Sequence, residues 1–551
     1  MSNTNKSKGN NFLLQGSILA IAGIITKIIG LVYRVPLNNI IGPEGMGYYS
    51  VAYGIYVVAL TLTSYSLPLA VSKLVSARVA KRQYKNAYKV FLGALFFALV
   101  VGGLTTLFLF FGAGFLSSYV MNMAMAAYSL RVLAPCIVIV ALLGVIRGFF
   151  QGMGSMVPTA ISQVIEQIVN AVVSISGAYL LFKAGTALGK EQNNPSLAYA
   201  YGATGGTLGT VMGAFFALVF MALIFFSYKK YYKRKMQKDV TKKTESYKSL
   251  FIALILTITP VILSSAINSI SDILDVAIYN GVMAAQGVPK REFAKILGEF
   301  SGKYVTITLV PLSVSMAVSS SFIPSLVAAM QEGKKKPVFQ KIDASIRFNM
   351  MIAIPSAVGL FVLARPILDL LFTSDNTLAG SMLHLGAVSV IFFCLGNITT
   401  SILIGLDEML LPVKNSVIAL IIYIASLCLM LIVFKWGIYS VIWGRIIFSL
   451  ALSIFNSRSI KHCIGYVQEL KRAVIIPGIA SLIMGVVTFL IHLVIELFIP
   501  GKLATLIACL VAVSTYSISL VLLGGITQEE MNAMPKGRTL VKIAKKLHLY
   551  R

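Results

Sequence analysis

Residues 228–248 read YKKYYKRKMQKDVTKKTESYK, with nine Lys or Arg in twenty-one positions almost midway along a chain of 551. On either side lies long, nearly uninterrupted apolar sequence. A charge block of this kind between apolar runs fixes which side of a membrane the chain is on at that point. It reads as a linker and topology anchor between two halves of a membrane protein, and the fold follows from how many apolar runs lie on each side.

The totals agree. The chain is 57% hydrophobic and 12% charged with mean hydropathy +0.85, whereas soluble domains carry about 25% charged residues. Net charge is +28, from 47 Lys plus Arg against 19 Asp plus Glu. The positives gather in short gaps between apolar runs, the pattern of cytoplasmic loops beside an anionic leaflet rather than of a nucleic-acid surface. The cysteines at 136, 394, 428, 463 and 509 show no metal or redox spacing and read as small hydrophobes. The basic start (Lys6, Lys8) leads into an apolar run with no small-residue cleavage site, so a retained first span is expected rather than a signal peptide.

Runs long enough to cross about 30 Å of hydrocarbon fall at 12–36, 48–71, 88–112, 126–147, 158–182, 199–227, 249–279, 304–329, 343–371, 381–405, 412–434, 437–456, 473–496 and 503–524. These predict fourteen transmembrane helices in an all-α polytopic protein. With the N-terminus inside, and span-edge residues counted with the adjoining inner loop, 33 Lys and Arg lie inside, 8 outside and 6 within spans. That asymmetry predicts a multi-pass cell-membrane protein with both termini cytoplasmic. The longest outer loop is about 280–303, too short for a catalytic domain, and no zinc, P-loop, G-x-S-x-G or kinase pattern occurs. Neither enzyme chemistry nor a cofactor is expected.

The halves echo each other. Pro68 is followed by LAVSKLVSARVAKRQYKNAYK, and Pro324, 256 residues later, by SLVAAMQEGKKKPVFQKID. Gly152 to Pro158 is echoed by Gly405 to Pro412. Spans 1 and 7 both start inside, which predicts two parallel six-helix lobes around a central cavity, an arrangement suited to alternating access. The expected divisions are an N-terminal lobe (1–228), a basic linker (229–248), a C-terminal lobe (249–456), and two further helices with a basic tail (457–551).

Charges inside hydrocarbon are expensive and normally face protein or a water-filled cavity. Lys27 lies in the outer half of span 1 within TKIIGLVYR, with Gly23 and Gly30 nearby, and is expected to face a cavity. Arg34 lies near the outer end of that span and Arg131 near that of span 4. Arg347 is near the inner end of span 9 and Arg365 toward its outer part. For Arg34, Arg131 and Arg347, snorkelling to headgroups is the competing expectation. Asp272 and Asp275 share a face of span 7, with Asn268 a turn deeper. They either coordinate a coupling cation, pair with Lys27 or Arg34, or form a rim salt bridge. A polar stripe on span 8 (Thr306, Thr308, Ser313, Ser315, Ser319, Ser320, Ser321) suggests an aqueous path. In PTAISQVIEQIVN (158–170), Glu166 is accompanied by Gln163, Gln167 and Asn170. Amide hydrogen bonds that hold the first lobe together are the main expectation, and a proton or cation site the lesser one.

The segments TKIIGLVYRVPLNNIIGPEGMGYYSVAY (26–53) and GVIRGFFQGMGSMVPTAISQVIEQIVN (144–170) closely resemble the stage V sporulation protein B and polysaccharide-biosynthesis group. That group belongs to the multidrug/oligosaccharidyl-lipid/polysaccharide exporter superfamily, and the resemblance runs over about residues 10 to 525. It implies a flippase for an undecaprenyl-pyrophosphate-linked saccharide, lipid II of peptidoglycan synthesis first among them. Lys27 matches the family's first-span basic position. Tyr33 stands where a second arginine is expected, with Arg34 beside it; span 2 lacks an arginine, and span 8 has only Lys303 at its mouth. The alternatives are a flippase for an exopolysaccharide, teichoic acid or spore-cortex precursor, or a cation-coupled multidrug exporter. Sodium, protons or the membrane potential are the candidate driving forces. The expected partners are the lipid-linked saccharide pyrophosphate, anionic lipids and cell-wall or sporulation proteins, with no nucleic acid, and the chain is expected to act as a monomer.

Overall fold

The computed structural model describes residues 2–237, 239–240, 245–331, 335–526, 528, 531 and 541, the side chains of 2–17, 20, 260–261, 263–268, 272 and 324 excepted. All regular structure among the described residues is helical. Among the described residues twelve stretches are long and apolar enough to cross a membrane, where the sequence predicts fourteen. The first two predicted crossings merge into one continuous stretch, Ile21–Ala80. The seventh lies on the helix Tyr247–Ala285, of which Tyr247–Thr259 qualifies only as a shorter apolar helix.

Two compact units divide the chain, Met1–Gly302 and Lys303–Arg551. The first contains α1 (Ser2–Thr63), α2 (Leu67–Ala80), α3 (Tyr84–Phe115), α4 (Ala126–Leu133), α5 (Cys136–Gly152), α6 (Val157–Glu191), α7 (Ser196–Gln237), α8 (Tyr247–Ala285) and α9 (Lys290–Gly298). The mid-chain basic segment belongs to it. Arg78 on α2 donates from Nε to Glu245 Oε1 at 2.9 Å, and Lys85 N donates to Asp239 Oδ2 at 2.6 Å.

At 1.5 Å per residue α1 would be about 93 Å long, roughly three hydrocarbon thicknesses, so it cannot be a single crossing. It breaks at Gly42, whose φ of 63° and ψ of 179° suit glycine and not an L-residue. Pro43 follows, lacks an N–H and disfavours a helical residue before it. Glu44 opens the second arm, where the helix N-terminus favours a negative charge. Its carboxylate is almost fully buried and accepts from Tyr48 Oη (3.0 Å), Ser196 Oγ (2.7 Å) and Arg291 Nε (2.7 Å). One side chain thereby ties the break in α1 to the start of α7 and to α9.

The tightest pairing in this unit is between α6 and α7. GATGGTLGTVMG (202–213) puts a glycine at each third or fourth position, which lets helix backbones approach closely. A Cβ on Gly205 would run into the Gly177 carbonyl oxygen, and one on Gly209 into Ser174 Oγ. Ser174 instead donates to the Gly206 carbonyl at 2.7 Å. Away from this seam, α2, α3, α5, α7 and α8 enclose an apolar core around Phe91, Phe149 and Met221.

The second unit contains α10 (Val305–Gln331), α11 (Lys335–Val362), α12 (Ala364–Leu371), α13 (Thr377–Gly405), α14 (Leu410–Cys428), α15 (Ile438–Ile464), α16 (Ile476–Glu496) and α17 (Gly501–Leu522). Its core joins α10, α11, α13 and α15 through Leu326, Ile346, Met350, Val390, Ile398 and Ile460. Buried amides and hydroxyls pair across the helices. Asn456 Nδ2 donates to Thr400 Oγ1 at 2.9 Å, and Asn415 Nδ2 to Asn456 Oδ1 at 2.9 Å. Tyr516 on α17 donates to the Met351 carbonyl at 2.8 Å, holding the last hairpin against α11.

Gly205→Ala should force α6 and α7 apart and cost about 1–3 kcal/mol, the usual penalty of overpacking. Gly103→Ala on α3, where a Cβ would meet nothing within 4 Å, should be neutral or slightly stabilising through helix propensity. Thermal unfolding of the two variants in detergent checks the contrast, and equal midpoints would contradict it.

Candidate functional site

Lys27, Gly30 and Arg34 are spaced i, i+3, i+7 along α1 and so share one face of it. Lys27 is exposed and Arg34 half-buried. Tyr33, Tyr49 and Tyr53 lie in electrostatic reach of Arg34, and the rings of Tyr49 and Tyr53 stack with centroids 5.7 Å apart. This face meets α6. The place a Cβ would take on Gly30 lies 3.7 Å from Gln167 Oε1, and Asn170 Nδ2 donates to Tyr33 Oη at 3.5 Å. Asn170 Oδ1 in turn accepts from Ser174 at 2.9 Å. The two predicted groups of the first half, the basic residues of span 1 and the amides of 158–170, are therefore neighbours.

Glu166 takes a partner from another helix. Arg147 on α5 donates from Nη2 to Glu166 Oε2 at 2.8 Å and from Nε to Ser162 Oγ at 2.9 Å. The Arg147 side chain is 12% exposed and that of Glu166 is 24% exposed, so the pair is neither fully sealed nor freely solvated. Sequence reasoning counted Arg147 with the inner-loop charges because it falls at the end of an apolar run. The available signal was GVIRGFF itself: an arginine five residues inside the end of a helix, facing a stretch that carries an intramembrane carboxylate. Gln163 is half-buried on the same helix. Asn170 bonds to Tyr33 and Ser174 rather than to the acid, and a guanidinium pairs with Glu166.

Arg131 on α4 is exposed, with one guanidinium nitrogen 3.7 Å from where a Cβ of Gly114 would sit. Asp275 on α8 is buried; the side chains of Asn268 and Asp272 lie outside the described residues. Arg347 and Arg365 belong to the second unit. Arg347 is half-buried on α11, in electrostatic reach of Arg472, Glu469 and Asp343. Arg365 on α12 is exposed, 3.7 Å from Asp369, and borders a groove of about 730 Å³ whose wall includes Phe361 and His384. The span-8 polar stripe divides. Ser315 donates to Asn349 Oδ1 at 3.0 Å and Asn349 donates to Ser319 at 3.2 Å, binding α10 to α11, while exposed Ser320 and Ser321 bond only to their own helix. Among the described residues no group of three His, Cys, Asp or Glu could hold a metal ion.

A basic, tyrosine-bearing helix face near a partly buried Arg–Glu pair is suited to holding an anion. The profile of a family described as polysaccharide biosynthesis protein matches residues 13–330, more than half of the chain. The chain belongs to the polysaccharide biosynthesis protein family. Within the same superfamily, the chain is 28% identical over 367 residues to stage V sporulation protein B of Bacillus subtilis (strain 168), covering 66% of this chain and 67% of that one. It is 25% identical over 518 residues to the lipid II flippase MurJ of the same organism, covering 91% and 92%. Two solved structures share the fold. One is lipid II flippase MurJ in an inward closed conformation (TM-score 0.63, 18% identity, 91% of this chain and 97% of that one). The other is an inward-facing multidrug resistance MATE family transporter of the MOP superfamily (TM-score 0.65, 16% identity, 80% and 94%). This polysaccharide biosynthesis family member thus has a flippase and a transporter among its relatives, in keeping with the expectation that it is not an enzyme.

Arg147→Ala leaves the partly buried Glu166 carboxylate without its cation and should cost on the order of 2 kcal/mol, below the penalty for a fully buried pair. Removing both charges in Arg147→Ala/Glu166→Ala should restore part of that loss. Thermal unfolding of the two single variants and the double variant checks this. Strictly additive losses would mean that the pair contributes nothing.

Proposed function

We propose that the protein carries an undecaprenyl-pyrophosphate-linked saccharide, lipid II first among them, from the inner to the outer leaflet. In this reading fourteen crossings form two six-helix lobes, 1–228 and 249–456, with two helices beyond and both termini cytoplasmic. The lobes expose a central cavity to each side of the membrane in turn. The observation that carries the reading is the basic face of α1: exposed Lys27 and, two turns on, Arg34 among its tyrosines. A diphosphate cannot enter hydrocarbon without such partners, whereas the prenyl tail can stay in lipid. Arg131, Arg347 and Arg365 are the other basic groups proposed to meet the headgroup along its way. The relatives named as flippases support the class of cargo. Exopolysaccharide, teichoic acid and spore-cortex precursors share the prenyl pyrophosphate and differ in the saccharide.

A cation-coupled drug exporter is the second reading, favoured by the shared fold of the MATE family transporter. It needs a carboxylate able to take up and release a cation. Glu166 already holds Arg147, which leaves Asp272 and Asp275 as the carboxylates for that role.

Reconstitution into liposomes with lipid II tests the proposal through appearance of the headgroup in the opposite leaflet. Lys27→Ala should slow flipping tenfold or more, about 1.4 kcal/mol per factor of ten, with little change in thermal stability because the side chain is exposed. Equal rates for wild type and Lys27→Ala would remove Lys27 from the cargo path. Failure to move lipid II while another prenyl-pyrophosphate saccharide crosses would reassign the cargo.

A further inference from the structure

The pair between Arg147 and Glu166 joins one carboxylate to a guanidinium inside a unit whose nearby face already carries two cations. Tyr53 lies in electrostatic reach of both Arg34 and Glu166, so the α1 basic face and the α5–α6 ion pair are parts of one charged region. Among the described side chains, Lys27, Arg34 and Arg147 stand in it with the carboxylate of Glu166. Three cations gathered in one region suit an anion larger than one carboxylate.

We propose that Arg147 is a further anion-binding residue, held in reserve by Glu166, and that the diphosphate of the cargo competes with Glu166 for its guanidinium. The inference rests on the prenyl-pyrophosphate reading above and adds a residue that neither the family resemblance nor the α1 face supplies. Its geometry is favourable. A guanidinium offers five donors in a rigid fork; Nε is engaged by Ser162 and Nη2 by Glu166. Ser162 therefore fixes the orientation of the group while Glu166 neutralises it. Both side chains retain some exposure, so the pair is not sealed off from an incoming anion. A bidentate phosphate contact is stronger than a contact to one carboxylate oxygen. The exchange is also self-limiting: a carboxylate left alone in low dielectric pulls Arg147 back, which favours release of the headgroup. Glu166 in this role sets how tightly the headgroup is held.

The test uses the full chain in nanodiscs with farnesyl pyrophosphate as the probe, its affinity read by microscale thermophoresis. Glu166→Gln, which keeps shape and removes the competing charge, should bind the probe about tenfold more tightly and flip lipid-linked cargo more slowly because release is impaired. Arg147→Gln/Glu166→Gln should lose that gain and bind no better than wild type. Should Glu166→Gln not fold, Glu166→Asp, shorter by one methylene, should show a smaller rise in affinity. Unchanged or weaker binding in Glu166→Gln and Glu166→Asp, while Lys27→Gln still weakens the probe, would overturn the proposal and leave the prenyl-pyrophosphate reading standing. No binding by wild type, or binding indifferent to Lys27→Gln and Arg34→Gln, would remove that reading and this inference with it.

Discussion

Hydrocarbon offers no partner to a polar group, so every donor, acceptor and charge that enters it must be satisfied within the chain. The two units meet this constraint differently. The first carries charges and satisfies them with charges: Glu44 with Arg291 and two hydroxyls, Glu166 with Arg147. The second adds neutral networks, Asn349 with two serines and Asn456 with two threonines and Asn415, and caps its fully buried Lys303 with the Asp375 carbonyl. Neutral glue fixes helix positions at low electrostatic cost. Ion pairs cost more desolvation and can be broken by another ion; the proposed role of Arg147 uses that property of the first unit's pair.

The same constraint shapes the backbone. Gly42 and Pro43 interrupt the i to i−4 ladder of α1 and free backbone groups that have to be accommodated. Glu44, placed at the start of the resumed helix, gathers α7 and α9 around the break. The approach of α9 depends on glycine here as well, since a Cβ on Gly298 would strike the Pro43 carbonyl and one on Gly47 would strike that of Ala294. A segment that looks in sequence like a short outer loop is thus packed against the most distorted point of the longest helix.

Much of this was legible in the sequence. Apolar run length gave the helices, because spanning length is set by the bilayer and not by tertiary context. It did not show that the first two runs join through a kink, since a Gly-Pro step reads equally well as a loop. Among candidate residues, Lys27 and Arg34 stood out because a lone cation in oil is rare. Arg147 did not, because a charge near the end of an apolar run is what topology rules expect of a loop. Glu166 was visible and its partner was not: the pairing spans α5 to α6 across a turn, and spacing along one helix cannot show which side chain of the next helix turns inward. Glu44 lay hidden in GPEGMG, where glycines and a proline suggest solvent-exposed turn residues rather than a buried carboxylate.

A resident guanidinium at Glu166 bears on the energy source. A carboxylate can couple transport to a cation only if it alternates between an empty and an occupied state. Glu166 instead has a tethered cation that cannot diffuse away, so in its resting state it offers little to sodium or a proton. In the proposed reading, with Asp272 and Asp275 taking no part, the work would fall on the field acting on the site's own charge. A cavity with surplus positive charge would be drawn toward the negative side of the membrane when empty, by about 2.3 kcal/mol per elementary charge per 100 mV. A bound diphosphate would cancel that surplus and with it the force opposing outward movement. Under an inside-negative potential the empty cavity would then reset inward and the loaded one turn outward, so that the proposed direction of transport would follow from the sign of the residues lining the site.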